Sequence, residues 1–283
     1  MSLAARVATA AVGIPVLGFA VWKGGMVWTM AAFAISALAG CEAVAMGARK
    51  ANLKLSSLPV IAILSGLLFF GFLFFRSFSG IQLPPWFEMS FALWAVILGF
   101  SFMSLKNPEG ICSLLGVSLA GLLFTLFLGS YAVRLRGLDQ GLWKMGVLFA
   151  AVWAFDTGGY LFGRLMGRRS LHPFSPKKSW EGTIGGIGSS VLLCIAISWF
   201  WGKWPVPTAL PTTVSAQVNQ WLWPAVFGFI VSAAAQTGDL FESAIKRDCQ
   251  VKDSSCLLPG HGGFHDRFDS FFFAAPVAFW LLS

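Results

Sequence analysis

Apolar residues gather in nine blocks, each near the length that carries an α-helix across a bilayer. They run over roughly 5–22, 26–47, 57–75, 86–105, 111–133, 142–163, 184–201, 220–239 and 267–283. Short polar punctuation separates them: Lys23-Gly24-Gly25, Arg49-Lys50, Pro84-Pro85, Asn107-Pro108-Glu109-Gly110 and a Pro/Thr-rich stretch over 204–214. The pattern predicts an all-α, polytopic membrane protein of about nine transmembrane helices, with no internal repeat and no soluble domain. Residues 1–140 are expected to hold about five of these helices. Residues 141–283 are expected to hold the rest, together with two polar loops and the chemistry. Arg6 precedes the first block as in a signal sequence, but a second block follows at once. An uncleaved first helix is therefore expected.

Lys and Arg positions predict orientation. With the N-terminus cytoplasmic, 14 of them fall on the cytoplasmic side and 6 on the other. This is the positive-inside bias. It puts both polar-rich loops, 164–183 and 240–266, on the cytoplasmic face, within reach of a cytosolic nucleotide.

Composition excludes the soluble alternative. The chain is 57% hydrophobic and 11% charged, with a mean hydropathy of +0.74. A soluble domain is nearer a quarter charged. The net charge of +8 would ordinarily suggest nucleic acid. Here the cations are spread among loops, which fits topology and anionic head groups instead, and no nucleic-acid partner is expected. Thirteen tryptophans lie mostly near block ends and read as interfacial belts. The cysteines (Cys41, Cys112, Cys194, Cys249 and Cys256) are odd in number and contain no CxxC, so no disulfide framework is expected.

Candidate chemistry concentrates between the eighth and ninth blocks. Residues 243–269 mix Lys246, Arg247, Lys252, His261, His265 and Arg267 with Asp248, Asp253, Asp266 and Asp269. A topology signal alone needs no acids. Just upstream, Asp239 and Glu242 are three apart, hence on one helix face. Asp266 and Asp269 repeat that spacing at the start of the ninth block. Four converging carboxylates suit Mg²⁺, which shares its shell with water and substrate phosphates. The competing reading pairs each acid with a cation: Asp266 with Arg267 or Lys246, Glu242 with Lys246. The turn Pro259-Gly260-His261-Gly262-Gly263 lets backbone approach a ligand and offers N–H groups to phosphate. Its histidine either donates to a phosphate or braces the turn. A zinc site from Cys249, Cys256, His261 and His265 has the wrong spacing for a structural site, which wants a tight cysteine pair.

The other polar loop carries Asp156-Thr-Gly-Gly-Tyr160, Gly163-Arg164 and Ser175-Pro-Lys-Lys-Ser-Trp-Glu-Gly182. Asp156 lies inside an apolar block, where an acid is a functional candidate; the alternative is a hydrogen-bonded kink beside two glycines. Ser175, Lys177 and Lys178 form a basic turn suited to phosphate or simply an exposed loop. Gly182 and Gly186, four apart, allow close helix packing. Glu42, within the second block, either serves substrate or a proton, or pairs with Arg49.

The run Ser243-x-Ile245-Lys246-Arg247-x4-Lys252-Asp253-x-Ser255-x2-Leu258-Pro259-x-His261-Gly262-Gly263-Phe264-x-Asp266-Arg267-Phe268-Asp269 resembles the signature of the phosphatidate cytidylyltransferases, the CDP-diglyceride synthases, with no departure over 27 residues. Asp156-Thr-Gly, Gly163-Arg164 and the 175–182 run are similar to the family as well, with Ser179 where threonine is commoner. The likeness covers about 156–270; the first five blocks match in number and apolarity.

The resemblance implies that CTP and phosphatidic acid give CDP-diacylglycerol and pyrophosphate with Mg²⁺. It further implies a homodimer in the bilayer and a metal centre at Asp239 and Asp266, with Asp269 close by and room for K⁺. On that view Lys246, Arg247 and Arg267 stabilise the lipid phosphate and departing pyrophosphate, and Lys177 and Lys178 close over the nucleotide. Asp156, Ser175, Lys252, His261, Gly262 and Gly263 complete the substrate contacts. Length and the lack of a soluble N-terminal extension suggest a bacterial inner membrane, with the site facing the cytoplasm. Two rivals remain: a CTP-dependent polyprenol or phytol kinase, and a membrane transporter. The full signature speaks against the first, and acids clustered on one face without a repeat speak against the second.

Overall fold

The computed structural model describes residues 3–78, 87–105, 109–201, 204 and 221–283. The Pro84-Pro85 turn, Lys106, Asn107-Pro108, Lys203 and the stretch beyond Trp204 lie outside them. Among the described residues there are nine helices: α1 Leu3–Lys23, α2 Gly25–Lys50, α3 Leu58–Phe78, α4 Phe87–Phe102, α5 Ile111–Gly137, α6 Gly141–Met166, α7 Trp180–Trp201, α8 Leu222–Asp248 and α9 His265–Leu282. Each overlaps one of the nine apolar blocks. Four of them (α2, α5, α6 and α7) are long and apolar enough to cross a membrane, with mean hydropathies of 1.6, 2.3, 1.3 and 1.8. Large apolar side chains face outward, among them Leu192, Trp199 and Phe200 on α7 and Leu93 and Phe100 on α4. Such faces belong against lipid. The protein is an integral membrane protein.

One feature departs from an all-α chain. β1 Ser170–His172 and β2 Ser175–Ser179 form a small antiparallel hairpin, with His172 opposite Ser175. The basic run 175–179 is therefore extended strand. Ser179 then caps α7: its Oγ accepts the Gly182 N–H at 3.1 Å. A serine does this as a threonine would. Glu181 sits in the first turn of α7, where the helix dipole favours an acid.

The chain divides into two units, Met1–Val133 with Ile245–Phe268, and Arg134–Ala244 with Asp269–Ser283. In the first, α2 is central and packs against α1, α3 and α5. Its small residues Ala39, Ala43 and Ala48 are fully buried. The Trp28 indole donates to the Ala132 carbonyl at 3.0 Å, tying α2 to α5. Cys249 joins Ala43, Met46 and Val117 in this core. α5 contains a π-helical turn over Leu122–Phe127.

In the second unit, α6 and α7 pack along much of their length. Glycines permit it: a Cβ at Gly182 would lie 2.9 Å from the Gly159 carbonyl, and one at Gly186 2.7 Å from the Phe155 carbonyl. The packing role expected of this pair is thus what the structure displays. α8 runs on to Asp248, well past the apolar block that ends near 239. Its polar end remains helical and buries Glu242.

Gly186→Val forces α6 and α7 apart and is expected to lower stability by about 1–3 kcal/mol. Thermal unfolding of the purified protein in detergent checks this; an unchanged midpoint would mean that the helices do not need the close approach.

Candidate active site

In the second unit, α8 presents Asp239 and Glu242, and α9 presents Asp269. One oxygen from each can be chosen so that all lie within 4.8 Å of one another. Gly238 makes this possible, since its Cβ would fall 2.5 Å from the Asp269 carbonyl. Glu242 is 1% exposed. Like charges at about 4 Å repel by roughly 4 kcal/mol per pair at an effective dielectric of about 20, so such a group calls for cations. Lys178 supplies one, as an ion pair with Asp239. Three hard carboxylate donors around one point also fit a divalent ion such as Mg²⁺. Among the described residues, this is the group of His, Cys, Asp and Glu side chains gathered closely enough to hold a metal. The four candidate zinc ligands are not such a group.

A cleft of about 370 Å³ opens beside Asp239, lined by Asp156, Arg164, Lys177, Lys178, Thr183 and Gln236 among others. The Thr183 hydroxyl donates to Gln236 Oε1 at 3.0 Å, and Arg164 Nη1 donates to the Tyr160 hydroxyl at 3.1 Å. The cleft brings together Asp156, Lys177 and Lys178, expected separately from sequence, with Asp239. Ser175, at the far end of β2, does not line it. Three cations and an apolar floor of glycine and Phe155 suit a phosphorylated molecule with a flat ring.

In the first unit, Lys246 and Asp266 form a partly buried ion pair, Nζ to Oδ1 2.7 Å, with side chains 14% and 5% exposed. Asp266 Oδ2 accepts the Ser254 N–H at 2.9 Å and the Gly263 N–H at 2.8 Å, and lies 2.8 Å from the Ser254 hydroxyl oxygen. Of the two readings of Asp266, cation partner or metal ligand, the structure displays the pairing with Lys246. A metal at Asp266 would compete with three protein donors, the Lys246 ammonium and the Ser254 and Gly263 N–H groups. Arg247, Lys252 and Arg267 are exposed, and Arg267 Nε donates to the His261 carbonyl at 2.9 Å. Buried His261 Nδ1 has no hydrogen-bond partner among the described residues. Gly262 adopts φ +82°, a left-handed conformation natural to glycine. The Gly263 N–H is already given to Asp266, so the turn offers phosphate fewer backbone donors than its sequence suggests.

The sequence profile of the cytidylyltransferase family matches residues 4–283. The chain belongs to the cytidylyltransferase family. It is 40% identical over 204 residues to a phosphatidate cytidylyltransferase of Staphylococcus haemolyticus (strain JCSC1435), covering 70% of this chain and 68% of the relative. Against that of Synechocystis sp. (strain ATCC 27184 / PCC 6803 / Kazusa) it is 34% identical over 197 residues, 59% of this chain and 62% of the relative. Against that of Bacillus subtilis (strain 168) it is 34% identical over 281 residues, 98% and 97% of the two chains.

Two residues of this cytidylyltransferase have neighbours that spacing along the chain does not indicate. The spacing of Glu242 puts it on one face with Asp239 but does not reveal that Asp269 joins them. Glu42, open in sequence between serving substrate or a proton and pairing with Arg49, is held by hydrogen bonds from a distant segment. Its carboxylate accepts from the Ser254 and Ser255 hydroxyls and the Phe264 and His265 N–H groups.

Removing the Lys246 ammonium strands the Asp266 charge. Lys246→Met is expected to cost about 3 kcal/mol of stability. Adding Asp266→Asn should recover part of it, and strictly additive losses in the double variant would show that the pair is not coupled.

Proposed function

We propose that this protein transfers the cytidylyl group of CTP to phosphatidic acid, giving CDP-diacylglycerol and pyrophosphate. What carries the reading is the end-to-end likeness to a relative named for that activity, at 34% identity over 98% of this chain. The chemistry of the side chains supports it. One substrate is an anionic lipid, the other a triphosphate, and the polar segments offer cations and carboxylates to both.

A phosphate oxygen of phosphatidic acid attacks the α-phosphorus of CTP. The new P–O bond forms as the bond to the bridging oxygen of the β-phosphate breaks, and pyrophosphate leaves with that electron pair. No general base is required, because a phosphate monoester near pH 7 already carries an anionic nucleophile. Catalysis then rests on positioning and on neutralising charge. Lys177, Lys178 and Arg164 hold the nucleotide phosphates in the cleft beside Asp156. Asp239, Glu242 and Asp269 would hold Mg²⁺, which when bound neutralises phosphate charge and polarises the reacting phosphorus. Lys246, Arg247, Lys252 and Arg267 are assigned to the phosphates of the lipid and the leaving group, with His261, Gly262 and Gly263 shaping that loop. Asp266 orients Lys246 and the turn. A monovalent ion such as K⁺ has a place in this reading only beside the same carboxylates.

All nine helices are taken to span the bilayer of a bacterial inner membrane with a cytoplasmic N-terminus, in a homodimer; the positive-inside bias supports the orientation and the family resemblance the dimer. This puts the exposed Cys256 in the cytoplasm. A membrane-impermeant maleimide should label it in inside-out vesicles and not in intact cells; the opposite pattern overturns the orientation.

CTP labelled at the α or the γ phosphate tests the reaction. With phosphatidic acid and Mg²⁺, α-label should enter lipid, and EDTA should abolish transfer. Asp239→Asn should lower the rate by about 100-fold or more and raise the Mg²⁺ requirement. Near-full activity with unchanged Mg²⁺ dependence would remove the metal assignment, and γ-label entering a polyprenol would favour the kinase.

A further inference from the structure

Glu42 sits on α2, the central helix of the first unit, and is 3% exposed. A buried carboxylate costs several kcal/mol unless it is compensated. No Lys or Arg side chain is its hydrogen-bond partner among the described residues. Four donors from the 254–265 segment compensate it instead. Oε1 accepts the Ser255 hydroxyl at 2.6 Å and the Phe264 N–H at 3.0 Å. Oε2 accepts the Ser254 hydroxyl at 2.8 Å and the His265 N–H at 2.9 Å. Phe264 and His265 stand at the start of α9, whose first N–H groups lack intrahelical partners. A carboxylate from a distant helix thus occupies the position at which a helix N-terminus favours an anion.

The same contacts reach the loop. The Ser254 hydroxyl lies 2.8 Å from both Glu42 Oε2 and Asp266 Oδ2. Asp266 in turn holds Lys246 and the Gly263 N–H. A Cβ at Gly263 would lie 2.1 Å from Ser254 Oγ and 2.3 Å from Glu42 Oε2. The second glycine of the His-Gly-Gly turn is therefore demanded by this carboxylate and serine packing, whatever the turn binds.

We infer that Glu42 is a positioning residue for the transfer reaction: by capping α9 and clamping Ser254 and Ser255, it sets the shape of the 254–265 loop and, through Ser254, the Asp266–Lys246 pair. The inference rests on the cytidylyl-transfer reading above. Glu42 touches no substrate in this role.

Glu42→Gln tests it, because the amide keeps the size but presents an NH₂ group to N–H and O–H donors. Two readouts are taken on folded protein, well below the variant's own unfolding midpoint: amide exchange at Phe264 and His265, and steady-state kinetics with phosphatidic acid and CTP. The expected result is exchange faster by about tenfold and kcat lower by about tenfold, with both KM values within about twofold of wild type. A residue that served stability alone would not produce that split. Unchanged exchange overturns the clamp, and faster exchange with unchanged kcat overturns its part in catalysis. If Glu42→Gln does not fold, Ser255→Ala removes one of the four donors. It should lower kcat by about threefold with faster exchange, and either value unchanged overturns the inference. A wild-type protein that transfers no cytidylyl group would instead fail the underlying reading, while exchange would still report the clamp.

Discussion

A carboxylate in an apolar helix must find its hydrogen bonds within the protein, because hydrocarbon offers no water to supply them. That constraint organises the polar part of this chain. On α2 it draws four donors of the 254–265 segment onto Glu42. Each charge-assisted bond is worth about 1.5–3 kcal/mol net, so four together can offset the burial of one carboxylate. The loop that looks from its sequence like a free phosphate cradle is consequently a folded structure with most of its nearby N–H groups already used.

The same rule acts differently in the second unit. Asp239, Glu242 and Asp269 converge on a point where their mutual repulsion is met by Lys178 and where a divalent ion would be at home. Here three carboxylates gather on one another, whereas Asp266 is held by Lys246 and by the Ser254 and Gly263 N–H groups. An acid held by a lysine and two backbone N–H groups is a structural element; acids gathered around one point can share a cation. This contrast is the physical basis for proposing Asp239, Glu242 and Asp269 as the Mg²⁺ ligands and an orienting task for Asp266.

Close helix approach is the second requirement. Gly186 brings α7 onto the Phe155 carbonyl of α6, and Gly238 brings α8 onto the Asp269 carbonyl. Without hydrophobic driving force between helices in lipid, such contacts rely on van der Waals packing over small residues. The Gly186 contact was readable from its four-residue spacing to Gly182. The Gly238 contact was not, because a lone glycine beside an acid looks the same whether it serves packing or a turn.

What the sequence by itself determined is what local physics imposes. The nine helices among the described residues fall on the nine apolar blocks, and the family follows from the unbroken spacing of residues 243–269. Cations in the 164–183 and 240–266 loops carry the expectation that phosphate binds there. Tertiary structure decided the partners. Glu42 meets Ser254, Ser255, Phe264 and His265 across more than 200 residues of chain, and no periodicity records such a contact. Lys178 meets Asp239, and Glu242 gathers with Asp239 and Asp269, because helix packing sets which side chains face one another. Spacing along a helix fixes only the face on which a side chain stands; the neighbour across that face comes from the fold.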